Sequence, residues 1–126
     1  MKQWLMNIFL AIMAALAPIH AIMISVGVLI FIDLFTGIWA ALKRKEKIQS
    51  AIMRRTISKI VIYQLAVISA FILETYLLPS VPATKIVAGV IGLVEFKSVI
   101  ENSNTIVDGD VFRSILRKLG SENDKG

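Results

Sequence analysis

The sequence has no cysteine and a single histidine, His20. Those scarcities exclude a disulfide framework, a thiolate metal site and a cysteine nucleophile, and leave little for a zinc site or a histidine-based triad. Charge is sparse too, at 18% of residues against roughly 25% in soluble domains. Apolar residues take its place at 56%, with a mean hydropathy of +0.75. This composition excludes an ordinary soluble enzyme. It also excludes a disordered chain, which needs low hydrophobicity and high charge. No Gly-rich phosphate loop, G-x-S-x-G, H-E-x-x-H or paired acidic metal site occurs, so neither catalysis nor a cofactor is expected. At 126 residues the chain has room for one domain.

What charge there is lies in blocks. From Trp4 to Leu42, 39 residues carry one formal charge, Asp33. Residues 43–59 then hold Lys43, Arg44, Lys45, Lys47, Arg54, Arg55 and Lys59 against Glu46, a net of +6. From Ile60 to Leu78 the only charge is Glu74, and from Ile86 to Val94 there is none. The pI near 9.8 thus reflects mainly one basic block between hydrophobic runs. That is the positive-inside signature of a cytoplasmic loop drawn to anionic headgroups, and it argues against nucleic acid as a partner. All seven basic residues are assigned to the membrane surface, with the lipid bilayer as the expected partner.

Thirty-nine residues are too many for one crossing of a ~30 Å hydrocarbon core, which takes about 20. Pro18 is the natural break, since it lacks an N–H and disfavours a helical Ala17. The reading is a first helix over about 4–17 and a second over about 21–42. The first, about 21 Å long, is short enough to be tilted, re-entrant or interfacial, with Trp4 as an aromatic anchor. Lys2 and this apolar run also imitate a signal peptide, but a second hydrophobic span follows at once with no polar domain to export. A third span is expected over about 59–78, ended by Pro79 and Pro82, with Ser80 and Thr84 in an outer loop. A fourth is expected over about 84–104.

From Asp108 the character becomes that of an amphipathic helix. Val111, Phe112, Ile115, Leu116 and Leu119 recur at helical spacing, with Arg113, Arg117 and Lys118 on the other side. Gly120 is expected to stop it and Ser121–Gly126 to be disordered. The predicted fold is therefore all-α: an integral membrane helical bundle of four hydrophobic helices, three transmembrane plus the short N-terminal one, and a C-terminal amphipathic helix. Residues 1–107 form the membrane domain, and 108–126 a cytoplasmic helix and flexible tail. With the basic block inside, four spans place both termini in the cytoplasm; an interfacial first helix leaves every other orientation unchanged.

Ionisable groups at mid-bilayer are costly and face a bundle interior or a water path. Asp33 falls about 18 Å from the outer end of its helix, and Glu95 and Lys97 about 15 and 18 Å from the outer end of theirs, at 1.5 Å per residue. The matching depths allow a buried Asp33–Lys97 ion pair; the alternative is a solvated Lys97–Glu101 pair at i and i+4. Glu74, one turn from an outer end, is within reach of interfacial water. Gly37, Ala40 and Ala41 share a flank with Asp33, Gly89 and Gly92 open a close-approach surface, and Tyr63, Ala70 and Glu74 form a polar line. The candidate pore or assembly residues are Asp33, Thr36, Gly37, Glu74, Glu95, Lys97, Ser98, Glu101 and Asn102.

Two of these stretches have a family likeness. Asp33-Leu34-Phe35-Thr36-Gly37, followed by Ala40 or Ala41 and a Lys/Arg block, resembles the D-x-x-T-G-x-x-x-A signature of a bacteriophage holin family that includes holin-like proteins encoded beside large toxins. Glu95-x-x-Ser98-x-x-Glu101-Asn102 is similar to its E-x-x-S-x-x-E-N motif, and Ser50 to Tyr63 resembles the lead into its next span. The chain departs from the family pattern at Val94, where Asn is common, and at Phe96–Lys97, where small or apolar residues are. The likeness covers about residues 20–119. It implies a phage or prophage protein of the bacterial inner membrane that forms homo-oligomers and permeabilises the membrane, releasing an endolysin or a toxin. Asp33, Glu95 and Glu101 would then be polar surfaces hidden at rest and exposed in a lesion. Met1 and Met6 flank Lys2, and some holins are regulated by such paired starts. The rival reading is a structural membrane subunit or small ion channel of a larger bacterial assembly.

Overall fold

The structure, a computed structural model, describes residues 2–124, together with every side chain there except those of Phe112, Asn123 and Asp124. It is 88% helix, and no strand occurs among the described residues. Helix α1 (Lys2–Ala15) is followed by a 3-10 turn (Ala17–Ile19) and α2 (His20–Lys43). Helix α3 (Ser50–Ile72) runs on into a π-helical turn (Leu73–Leu77), then come α4 (Ala83–Val107) and α5 (Val111–Asp124). The break between α1 and α2 falls at Pro18, inside the 3-10 turn, where Ile19 N–H donates to the Leu16 carbonyl at 3.0 Å. Met1, the first of the two candidate starts, lies outside the described residues, as do Lys125 and Gly126 of the expected tail.

Helices α2, α3 and α4 form the bundle, with α2 against α4 as the most extensive contact. Each turns one stripe inward at alternating spacings of three and four residues: Val26, Ile30, Asp33, Gly37 and Ala40 on α2; Thr56, Ile60, Tyr63, Val67 and Ala70 on α3; Thr84, Ala88, Ile91, Glu95, Ser98 and Asn102 on α4. That alternation keeps one face of a 3.6-residue helix towards its neighbours over many turns, as in knobs-into-holes packing. One half of the interior is an apolar core of Leu16, Ile19, Val26, Ile30, Val67 and Ile91. The other half is polar.

Three element boundaries differ from expectation. Helix α3 begins at Ser50, nine residues before Lys59, because Ile52 and Thr56 continue the inward stripe through the basic block and nothing there breaks a helix. Thr84 lies buried in the first turn of α4, not in a loop. Helix α5 passes through Gly120 to Asp124; glycine costs a helix about 1 kcal/mol relative to alanine, which weakens it without ending it. Asp110 opens α5 as an N-cap, its carboxylate accepting the Arg113 N–H at 3.0 Å.

The surface is as informative as the core. The chain exposes 9386 Å², whereas a compact soluble protein of this mass exposes roughly 6,700 Å². Much of the excess is apolar. Ile24, Val28, Phe31, Phe35 and Trp39 form an outward stripe on α2, and α1 is apolar and exposed nearly all round, with no buried residue. Two helical stretches, Ala17–Lys43 and Ser50–Leu77, are long and apolar enough to cross a bilayer. Helix α4 has the length, but Lys85, Glu95, Lys97 and Glu101 interrupt its apolar run.

Candidate functional site

The polar half of the interior is organised by Lys59. Its Nζ stands 3.0 Å from Asp33 Oδ2 on α2, and 3.2 and 3.3 Å from Glu95 Oε1 and Oε2 on α4. One ammonium thus ties three helices together. The side chains of Lys59, Asp33 and Glu95 are 21%, 13% and 0% exposed, so the cluster closes inward from α3 to α4. Two carboxylates on one ammonium leave one negative charge in excess when all three are ionised.

Further polar groups support Asp33. Asn102 Nδ2 donates to Asp33 Oδ1 at 3.1 Å and lies 3.2 Å from Thr36 Oγ1. Thr36 donates to the Ile32 carbonyl at 2.9 Å, which leaves its lone pairs for the amide. Gly37 lies beside this amide: a Cβ there would stand 3.5 Å from Asn102 Nδ2, an ordinary contact, so a methyl group fits and a larger side chain would crowd the amide. The D-x-x-T-G and E-x-x-S-x-x-E-N segments therefore meet across the α2–α4 contact.

The structure corrects three of the expectations. Lys59 belongs to the interior cluster, not to the membrane surface, because the early start of α3 carries it about two and a half turns into the helix. The Asp33–Lys97 pair does not form. Lys97 lies about 200° around α4 from the buried Glu95; its side chain is 80% exposed and is 3.8 Å from Glu101. Glu101, 64% exposed, is accordingly not hidden in this state.

Elsewhere, Glu74 sits half-buried in the π-helical turn and accepts a hydrogen bond from the Thr84 hydroxyl at the start of α4. Lys43 pairs with Asp108 at 3.0 Å and donates to the Ile106 carbonyl, joining the ends of α2 and α4. Arg44 holds Glu46 through two bonds of 2.9 and 3.3 Å. Lys45, Lys47 and Arg54 are exposed and make no ion pair among the described residues, and Arg55 borders a cavity that also touches Ser98. Sequence reasoning passed over Gln64, whose Nε2 donates to the Met23 carbonyl at 2.8 Å and clamps α3 to α2. The available signal was its amide in an otherwise apolar stretch.

Chemically the arrangement is an ion-pair lock between helices. No group of three His, Asp or Glu side chains able to hold a metal occurs among the described residues. Compared with known proteins, residues 10–120 match the family model described as bacteriophage holin family. No curated protein and no solved structure matches the chain.

Proposed function

The chain belongs to the bacteriophage holin family, and on that premise we propose that it is a phage or prophage holin that oligomerises in the bacterial inner membrane and permeabilises it, letting an endolysin reach the peptidoglycan or a toxin leave the cell. The observation that carries this reading is the outward Lys97–Glu101 pair on α4. Lys97 is about 21 Å from one end of α4 and about 15 Å from the other at 1.5 Å per residue. Lipid does not solvate charges at that depth, so such groups face other protein or water. The outward stripe of α2, in contrast, is aliphatic and aromatic and suits lipid. Helix α4 is thus the side that a second copy, or an aqueous lumen between copies, would cover.

In this reading α2, α3 and α4 all cross the membrane. The basic segment 43–55, α5 and the C-terminus lie on the cytoplasmic side. Helix α1 either spans the bilayer, which brings the N-terminus there too, or dips into it from the outer face, which leaves the N-terminus outside. The amphipathic α5 rests on the inner membrane face or on a neighbouring subunit. Asp33, Glu95 and Lys59 hold each subunit closed at rest, and α4 supplies the polar surface on which subunits gather.

Inducible expression in a bacterial host tests the reading, with growth, membrane potential and release of a co-expressed cytoplasmic endolysin followed together. The expected result is abrupt depolarisation after a delay, then lysis that requires the endolysin. Normal growth with an intact potential would favour the structural or channel subunit of a larger assembly.

A further inference from the structure

The Lys59 cluster has one open side. Between α2, α3 and α4 a cavity of about 220 Å³ leads from Arg44 and Arg55 past Thr56 and Ser98 to Asp33 and Lys59. That volume is several times the ~30 Å³ that a water molecule occupies in the liquid, and its hydroxyl, amide and charged lining offers water the partners it needs. Asp33 and Lys59 line the inner part of the cavity at 13% and 21% side-chain exposure, and Glu95, fully buried, lies behind them outside the lining. Beyond the cluster the character reverses. Ile30 stands one turn from Asp33, Ile91 one turn from Glu95, and Val67 packs with both in the apolar core. With all three groups ionised the cluster holds one uncompensated negative charge. Such a charge sealed among apolar groups is strongly unfavourable, so contact with water on one side would offset that cost.

We propose that this cavity is a one-sided aqueous vestibule: water and small ions from the side of the basic segment reach Asp33 and Lys59 within a single chain, and the plug of Ile30, Val67 and Ile91 stops them there. The path runs inside one subunit and is separate from any opening between subunits. Each chain at rest is then half of a transmembrane path, closed by side chains that a small rearrangement of the bundle would part. The inference rests on the membrane reading given above.

A chain without cysteine makes the test direct. Ser98→Cys and Thr56→Cys place a thiol in the vestibule, Val67→Cys places one in the plug, and Lys47→Cys marks the basic side. Each full-length variant is treated, in membrane vesicles of both orientations, with a membrane-impermeant methanethiosulfonate reagent, and the mass shift is followed in time. Both vestibule thiols should react from the Lys47 side at least about tenfold faster than from the other, since thiol reactivity follows access to water, and Val67→Cys should react from neither. Ser98→Cys, which exchanges one atom, settles the matter if Thr56→Cys misfolds. The proposal is overturned if Lys47→Cys reacts while Ser98→Cys resists from both sides, or if Val67→Cys reacts as fast as Ser98→Cys. Vestibule and Lys47 thiols reacting together from the outer face would support the vestibule and reverse only the orientation proposed above. Recovery of the chain outside the membrane fraction would overturn the membrane reading and the vestibule with it.

Discussion

Lys59 carries more of the bundle's electrostatics than any other side chain described, because two carboxylates depend on its one ammonium. Removing the shared partner of a buried charge cluster costs about 3–5 kcal/mol, so Lys59→Met should strongly lower the unfolding midpoint in detergent micelles. Asp33→Asn should cost less, since it leaves Lys59 and Glu95 as a one-to-one pair and keeps an amide for Asn102. If Asp33→Asn proved the more damaging, the cluster would not carry an excess negative charge. Gly37 tests the neighbouring contact. A methyl group there meets Asn102 at an ordinary van der Waals distance of 3.5 Å, so Gly37→Ala should be tolerated. Gly37→Leu must push the amide off Asp33, at a cost of about 1–3 kcal/mol for the lost bonds, which the same melt would show. At this scale the sequence singled out Asp33, Glu95 and Asn102 as polar groups among apolar ones, and the structure brings them to one side of the bundle. The sequence misplaced Lys59, because a lysine ending a run of basic residues reads as a surface charge until the start of its helix is known.

Helix α4 shows two faces with different duties. Glu95, Ser98 and Asn102 point into the bundle, while Lys97 and Glu101 point out. An exposed i,i+4 pair contributes about 0.5 kcal/mol or less once solvent screening is allowed for. Lys97→Gln with Glu101→Gln should therefore leave the melting of the isolated chain unchanged while shifting the onset of lysis in the expression assay. Unaltered timing would mean that this face is not where subunits meet. Helix α1 invites a similar separation. Apart from Met13, which packs on the core, its residues stand clear of the bundle. A chain starting at Met13 should keep its unfolding midpoint and lose depolarising activity. The hydrophobic runs and Pro18 made the helices themselves legible. Their inner faces became legible only through the alternation of three- and four-residue spacings, which places Glu95 inside and Lys97 outside with no depth argument at all.

For the molecule as a whole, the exposed area and the uneven spread of charge point to one environment. Lys43, Arg44, Lys45, Lys47, Arg54 and Arg55 lie together at the end of the bundle where Lys43 meets Asp108, while Lys85 and His20 lie at the other end. Orientation in the membrane follows the lysines and arginines of short loops. Lys45→Gln, Lys47→Gln and Arg54→Gln remove three of them without touching a bundle contact. Combined with two lysines inserted beside Pro79, they should give a population of mixed or inverted orientation, read by protease access to a C-terminal tag in sealed vesicles. A population that kept a single orientation would show that the bundle, and not the charges, sets the topology.

Composition and order were enough to determine that this chain is helical, apolar and broken at Pro18, because those properties depend on local residue type and on spacing along one chain. The family that the D-x-x-T-G and E-x-x-S-x-x-E-N stretches suggested is the one whose model matches residues 10–120. Which charges find each other was decided only by tertiary structure. Depth along separate helices allowed Asp33 to pair with Lys97, but depth carries no information about rotation, and rotation turns Lys97 away from the bundle. The packing of α2 against α4 and the early start of α3 bring Lys59 to Asp33 and Glu95 instead. Long-range pairing depends on how helices are turned towards one another, and no single helix records that by itself.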